Sequence, residues 1–438
     1  MPMDHNVSRN ITLDAALNEA KQAYTDRNPA SLAHHRVAAG AMPGGNTRTV
    51  LHYDPFPVAF ARAEGARLWD IDGHEYRDFL GEFTAGIAGH THPAIRRAVV
   101  HALDAGINMG GHNTYEPRFA ALVTARFPSM ELVRFTNSGT EANLLAISAA
   151  IAKTGRRKVM VFRGGYHGAV FTFSPGVNIN VPFDYVYGVY NDVDATIIEI
   201  DAHGPELACI ILEPMLGGGG CIEGDVAFLQ ALRDAATRHG AVLIFDEVMT
   251  SRLAPGGLQQ AVGVIPDLTT LGKYVGGGMS FGAFGGRAEL MSLFDPRRPD
   301  ALPHAGTFNN NVLTMAAGIA ALTEVYTPEA ADRLNGLGDR LRDRLNAVAA
   351  GKDVAVQFTG RGSMMNLHVL RGPVRTPADA ARGNMKARDL FFFDMQKAGF
   401  WLARRGLMAL SVPLTDDDHD AFVAATEEFI ASRRALLN

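Results

Sequence analysis

The chain has 438 residues, 47% of them hydrophobic and 20% charged, enough for a large core and too many for one comfortable domain. A formal net charge of only −5, with no basic block, gives no footing for nucleic acid or an anionic membrane. The two cysteines, Cys209 and Cys221, lie in or beside apolar or glycine-rich sequence, which fits reduced thiols and argues against a disulfide framework.

Along the chain, the first ten residues carry no apolar signal core, and no apolar run approaches the length of a membrane span. A soluble cytoplasmic protein is expected. Residues 13–26 pattern as a short amphipathic helix, followed by a turn at Met42-Pro43-Gly44-Gly45 and then Arg48. Strand-like sequence around Asp72-Gly73 carries a hairpin signal. His90 and His92 precede a helix starting near Ala94, and with no third ligand at a telling spacing no metal site is expected.

The central block alternates apolar runs with helical patterns. Strands are predicted at 132–135, 158–162, 208–212, 241–245 and 268–271, with helices from about 140 and over about 226–239. Continuous apolar strands between helices define an α/β fold with a mostly parallel sheet covered on both faces. From about 327 the texture changes. A long helix with Leu334, Leu337, Leu341 and Leu345 on one stripe opens a smaller α+β portion, whose last helix starts after Thr415 with Asp416, Asp417 and Asp418 in its first turn. The expected parts are an N-terminal segment over 1–70, a large domain over 71–328 and a C-terminal domain over 329–438.

Chemistry concentrates at turns that follow the predicted strands. In LTTLGKYVGGGMSFGAFGG (268–286), a lone lysine, Lys273, stands at the bend between two apolar runs. An amine kept partly dry there loses preference for its charged form and can attack a carbonyl, whereas a surface lysine in a flexible hairpin could not. After the first strand, Thr136-Asn137-Ser138-Gly139-Thr140-Glu141 leads into a helix, which suits either a phosphate or an ordinary Ser/Thr cap. Tyr166, set among glycines after the second strand, can stack on a flat ligand or pack at a rim. Asp246 and Glu247 close a strand where α/β sheets place ligand groups, and a salt bridge to an arginine such as Arg252 is the structural alternative. Together a phosphate cradle, a stacking ring, an acid and a carbonyl-binding lysine specify pyridoxal 5′-phosphate.

The motifs Asn137-Ser138-Gly139-Thr140-Glu141-Ala142, Tyr166-His167-Gly168, Glu213-Pro214, Asp246-Glu247-Val248-Met249-Thr250, Leu271-Gly272-Lys273 and Gly306-Thr307 resemble those of the fold-type-I, class-III aminotransferases along nearly the whole chain. The branch is similar to that holding the glutamate-1-semialdehyde aminomutases. It most resembles bacterial β-amino-acid (β-phenylalanine) aminotransferases, which share Met249-Thr250-Ser251-Arg252-Leu253-Ala254-Pro255 and Gly306-Thr307-Phe308-Asn309-Asn310-Asn311.

The resemblance implies a large domain with a mostly parallel seven-stranded sheet plus a smaller α+β domain. It also implies roles for single residues. Lys273 would hold the cofactor and serve as acid and base, and Asp246 would pair with the pyridinium nitrogen. Val248 would pack on the ring against Tyr166. Ser138, Gly139 and Thr140 would hold the phosphate, Glu213 would lie at a strand end nearby, and Thr307 would reach the phosphate of a neighbouring subunit in a homodimer with shared sites. One departure stands out: Gly218 replaces an asparagine that in aminomutases contacts the cofactor's ring hydroxyl, which implies a roomier pocket.

Arg48, after the Met42–Gly45 turn, is the candidate anchor for the carboxylate of a β-amino acid, and the resemblance places Arg405 where the β-amino-acid aminotransferases bind a 2-oxo acid; an arginine can hold either carboxylate bidentately. Surface arginines on loops are the plain alternative. The expected function is therefore transfer of the amino group of an aromatic or aliphatic β-amino acid, such as β-phenylalanine, to 2-oxoglutarate or pyruvate. A glutamate-1-semialdehyde 2,1-aminomutase is the alternative, and a non-catalytic pyridoxal-phosphate-binding regulatory protein is the alternative of another class.

Overall fold

Seven short runs, each bounded by glycine or a polar turn, assemble into one sheet in the computed structural model, which describes residues 12–438. The spatial order is Leu132–Thr136, Gly282–Gly286, Leu268–Gly272, Val242–Asp246, Leu207–Leu212, Lys158–Phe162 and Asp184–Gly188. Gly282–Gly286 pairs antiparallel with both its neighbours, and the remaining pairings are parallel. Leu207–Leu212 and Val242–Asp246 are buried along their whole length, as expected of strands covered on both faces.

The predicted elements fall close to their expected places. Leu13–Arg27, Pro93–Ala105, Gly139–Thr154, Val226–His239, Pro328–Gly351 and Asp416–Arg433 are helices. Thr415 caps the last of them, its side chain accepting from Asp418 N while the Asp418 carboxylate accepts from Thr415 N. The first eleven residues, including those read for a signal core, lie outside the described part.

Sequence-distant ends meet in the smaller sheets. Phe60–Glu64, Arg67–Asp70 and Glu75–Asp78 form a meander whose last strand pairs in parallel with Phe400–Trp401. The Asp72-Gly73 turn joins the second and third strands of that meander, as its sequence predicts. Tyr24 and Tyr53 stack edge-on against Phe393 and Phe392, fastening the N-terminal helix to the helix Met385–Lys397. A three-stranded sheet of Gln357–Arg361, Met364–His368 and Leu407–Ala409 completes the C-terminal portion. No helix of the described residues is long and apolar enough to cross a membrane.

Candidate active site

The carboxyl ends of five parallel strands converge on one cavity of about 530 Å³. Leu132–Thr136 leads to Ser138, Gly139 and Thr140, Lys158–Phe162 to Tyr166, and Leu207–Leu212 to Glu213. Val242–Asp246 ends in Asp246 itself, followed by Val248, and Leu268–Gly272 delivers Lys273. This is the edge at which open α/β sheets place ligands.

The strand alternation separates the two adjacent carboxylates. Asp246 faces the cavity, where Oδ2 accepts from His167 Nδ1 at 2.9 Å and Asn143 Nδ2 at 2.8 Å and Oδ1 accepts from Val248 N at 3.0 Å. Asn143 is itself oriented by Thr270, whose hydroxyl donates to Asn143 Oδ1 at 2.7 Å. Glu247 turns away into the protein. There it accepts from Leu258 N, from Gln259 N and Nε2, and from the Thr250 hydroxyl, and burial raises its pKa. The suggested ion pair to Arg252 is not formed. Arg252 is fully buried and donates to Ser363 Oγ and the Leu410 carbonyl oxygen. Hydrogen-bond donors, rather than a guanidinium, satisfy these buried acids.

Glu213 is buried beside the cavity, with Oε2 accepting from Tyr166 N and Oε1 from Gly217 N, each at 3.0 Å. It thereby ties the Tyr166 turn to the Gly217–Gly220 run, which tips a hairpin of Met215–Leu216 and Ile222–Glu223. Burial, partly offset by His167, pushes the Glu213 carboxyl up to about 7. A side chain at Gly218 would meet only Tyr166 Cβ, at 3.7 Å, so the room beside Tyr166 comes from the residue type and is not demanded by the backbone.

Lys273 opens a 3₁₀ turn directly after its strand with φ at +55°, a conformation that costs a non-glycine residue about 1–2 kcal/mol. Its Nζ donates to the Phe83 carbonyl oxygen at 2.7 Å. Burial, reinforced by the positive charge of Arg405, pushes the amine down to about 8. The predicted strand, turn and strand are present, with Leu268–Gly272 pairing antiparallel with Gly282–Gly286.

Arg48 and Arg405 both lie over the Phe83 ring, with guanidinium carbons 5.2 and 5.4 Å from its centroid. Arg48 is half-exposed and donates to Glu82 Oε1 at 2.5 Å. Arg405 is partly buried, its Nε has no hydrogen-bond partner, and among the described residues it forms no ion pair. Its sequence neighbour Arg404 is instead held by Asp389 at 3.0 and 2.6 Å. Thr307 is exposed and lines a separate surface pocket with Ile107 and Met109, outside the cavity of its own chain.

Sequence reasoning did not find Asn143, the Asp246 partnership of His167, or Phe83. Asn143 did carry a signal, being a polar residue inside the apolar helix Gly139–Thr154. Phe83 carried none, because its place depends on the unusual backbone of the turn that holds it.

The cavity suits a flat, phosphorylated pyridine. Val248 packs so closely on Gly139 that a Cβ there would come within 2.7 Å of a Val248 methyl. Behind that contact lies the first turn of Gly139–Thr154, whose N–H groups have no partners within the helix and whose dipole favours an anion. Asp246 Oδ1 has one described donor and can accept another from a ring nitrogen.

The aminotransferase class-III family profile matches residues 50–174 and 187–429. A β-phenylalanine transaminase from Variovorax paradoxus is 54% identical over 97% of this chain and 98% of its own. The crystal structure of a β-phenylalanine aminotransferase from that organism superposes with a TM-score of 0.96, covering 97% and 99% of the two chains. A glutamate-1-semialdehyde 2,1-aminomutase from Sorangium cellulosum is 39% identical over 94% and 99% of the two chains. A transaminase solved with PLP bound is 31% identical, with a TM-score of 0.86, and covers 94% and 99%. The chain belongs to the class-III aminotransferases, with the fold of fold-type-I transaminases. It is an enzyme that depends on pyridoxal 5′-phosphate and acts on an amino donor and an oxo-acid acceptor.

Proposed function

We propose that this enzyme moves the amino group of an aromatic or aliphatic β-amino acid, such as β-phenylalanine, to a 2-oxo acid such as 2-oxoglutarate or pyruvate, in the cytoplasm. The observation that carries the reading is the pair of arginines over Phe83, one of them partly buried without a carboxylate partner. A guanidinium kept from water without an acceptor is costly unless a ligand supplies one.

When bound, pyridoxal phosphate supplies an aldehyde for the amine and a ring that accepts electrons. The chain's own residues do the rest. Lys273 would hold the cofactor at rest, and its freed amine would carry the proton from the amine-bearing carbon of the donor to the former aldehyde carbon of the cofactor, a positioned transfer that contributes about 10²–10⁴-fold. An amine lowered to about 8 is neutral at physiological pH far more often than an ordinary lysine, which suits that duty. Asp246, fixed by His167 and Asn143, would accept from the pyridine nitrogen. Tyr166 and Val248 would flank the ring and Ser138, Gly139 and Thr140 would hold the phosphate, while Glu213 fixes the Tyr166 turn.

A β-carboxylate lies one carbon farther from the amine than an α-carboxylate, so one anchor cannot serve both substrates without displacing the reacting carbon. Arg48 is assigned to the β-amino acid and Arg405 to the 2-oxo acid. Glu82 now pairs with Arg48 and must yield to, or share it with, a bound carboxylate. The open space at Gly218 favours this reading over an aminomutase.

Exposed Thr307, flanked by Phe308 and facing Ile107 and Met109, supports a homodimer in which each subunit completes the other's phosphate site. Within each chain we distinguish an N-terminal segment (1–70), a large domain (71–328) and a small domain (329–438).

Purified enzyme challenged with α-amino acids, β-amino acids and glutamate-1-semialdehyde tests the assignment. β-Amino acids should bleach the cofactor's visible band, and added 2-oxo acid should restore it. Turnover of glutamate-1-semialdehyde without any acceptor would establish the aminomutase instead.

A further inference from the structure

A second cavity of about 380 Å³ adjoins the first at Arg48, which lines both. That volume falls in the range of small-molecule sites, about 300–1,000 Å³. Its wall is largely apolar and aromatic, built from Leu51, Tyr53, Phe60, Leu80 and Trp401. Apart from Arg48, its partner Glu82 and Phe83, no residue of this wall has a part in the chemistry above.

Phe83 stands between the two spaces. Phe83 lines the second cavity, while its carbonyl oxygen accepts from Lys273 of the first. Both candidate anchors lie over that ring, so its position bears on both carboxylate sites. The backbone that sets the ring is unusual. Gly81, Glu82, Phe83 and Thr84 take φ values of 53°, 48°, 52° and 80°, three consecutive non-glycine residues in the left-handed region. A chain keeps such a run only where its surroundings over-determine it. Here Asp78 Oδ1 accepts from both Leu80 N and Gly81 N, at 2.9 and 3.0 Å. Thr84 Oγ1 is buried without a partner, so its own side-chain bonding does not explain the turn. A relaxed turn would not have to place an aromatic ring at this junction.

We propose that Phe83 is a specificity-determining partition and that the cavity behind it is an aryl site. When the partition is removed, this site takes the extended aromatic substituent of a carboxylate ligand anchored at Arg48. The inference rests on the reading of Arg48 as a carboxylate anchor. The lining selects the ligand class: most of the wall is apolar or aromatic, its charged members are Glu82, Arg404 and Arg48, and Arg48 is shared with the first cavity.

Two unreactive carboxylates test this on the cofactor-loaded enzyme, 3-phenylpropanoate and 3-(biphenyl-4-yl)propanoate, with binding followed through the cofactor's absorbance. Wild type should prefer the shorter ligand. Phe83→Ala should shift the ratio of dissociation constants toward the biphenyl ligand by about tenfold or more, the worth of one further buried ring. Phe83→Leu, a milder change to the same wall, should shift it in the same direction by less. Adding Ala59→Phe, a bulkier side chain at another residue of the second cavity's lining, should return the ratio toward wild type. An unchanged ratio in the folded, loaded Phe83 variants would overturn the proposal, as would a gain that survives Ala59→Phe or wild-type enzyme that binds neither ligand. Neither ligand carries an amine, so failure to transaminate β-amino acids would remove the proposed function and leave this ratio readable.

Discussion

Lys273 and Asp246 are set by their surroundings in opposite ways, one by burial beside a cation and the other by a ring of donors. With its pKa near 8, Lys273 gives up its proton well before an ordinary lysine. Recombination of the apoenzyme with pyridoxal phosphate should therefore accelerate as pH rises through about 8, and Lys273→Ala should lose the borohydride-reducible link to the cofactor. The sign for stability follows. Between about 8 and the ordinary lysine value near 10.5 the unfolded chain binds the extra proton, so this group adds stability as pH rises through that window. A rate profile centred near 10.5 would contradict the assignment. Asp246→Asn should do more than stop turnover. Whichever way the amide is turned, its NH₂ faces Val248 N–H or the His167 and Asn143 donors. The apoenzyme should lose about 1–3 kcal/mol of unfolding free energy, readable by denaturant titration.

Among the elements, the five central parallel strands and the capped or striped helices were legible from periodicity, because those runs are apolar on both faces, whereas the edge strand Asp184–Gly188 and the helices Tyr115–Arg126 and Val312–Ala320 were not. The position of Lys273 at a bend between two strands was legible for the same reason. What periodicity could not show is how adjacent acids divide: Asp246 and Glu247 look equivalent in sequence, and only the pleat sends one to the cavity and the other to the Leu258 and Gln259 amides. Arg252 misled because a charged residue beside acids suggests an ion pair, while its partners come from the distant Ser363 and Leu410. The left-handed run at Gly81–Thr84 left no trace, since only Gly81 has the residue type that conformation favours. The glycine hairpin yields a prediction at this scale. Gly218→Asn meets only ordinary contact with Tyr166 and should change stability by no more than about 0.5 kcal/mol. Gly217→Ala drives a Cβ to 2.6 Å from Met249 Sδ and should lower the melting temperature measurably more. Equal behaviour of the two would contradict this picture of the hairpin.

For the whole molecule, the N-terminal segment packs on the C-terminal helix Met385–Lys397, so Arg48 and Arg405, 357 positions apart in sequence, meet over one ring. The sequence located both arginines but could not show that Arg48 already carries a carboxylate, Glu82, while Arg405 carries none among the described residues. Thr307 belongs to the same scale. If the partner subunit uses it, Thr307→Ala should weaken cofactor binding by about 1.5–3 kcal/mol, the worth of a hydrogen bond to a charged group. Sedimentation should show a dimer, and an active monomer would rule out the shared site.

The two half-reactions, followed separately by stopped-flow absorbance in Arg48→Ala and Arg405→Ala, test the central claim most directly. Arg48→Ala should lower the specificity for the β-amino acid about tenfold to a hundredfold and largely spare the 2-oxo acid step, and Arg405→Ala should do the reverse. Equal impairment of both steps by both variants would contradict the two-anchor account.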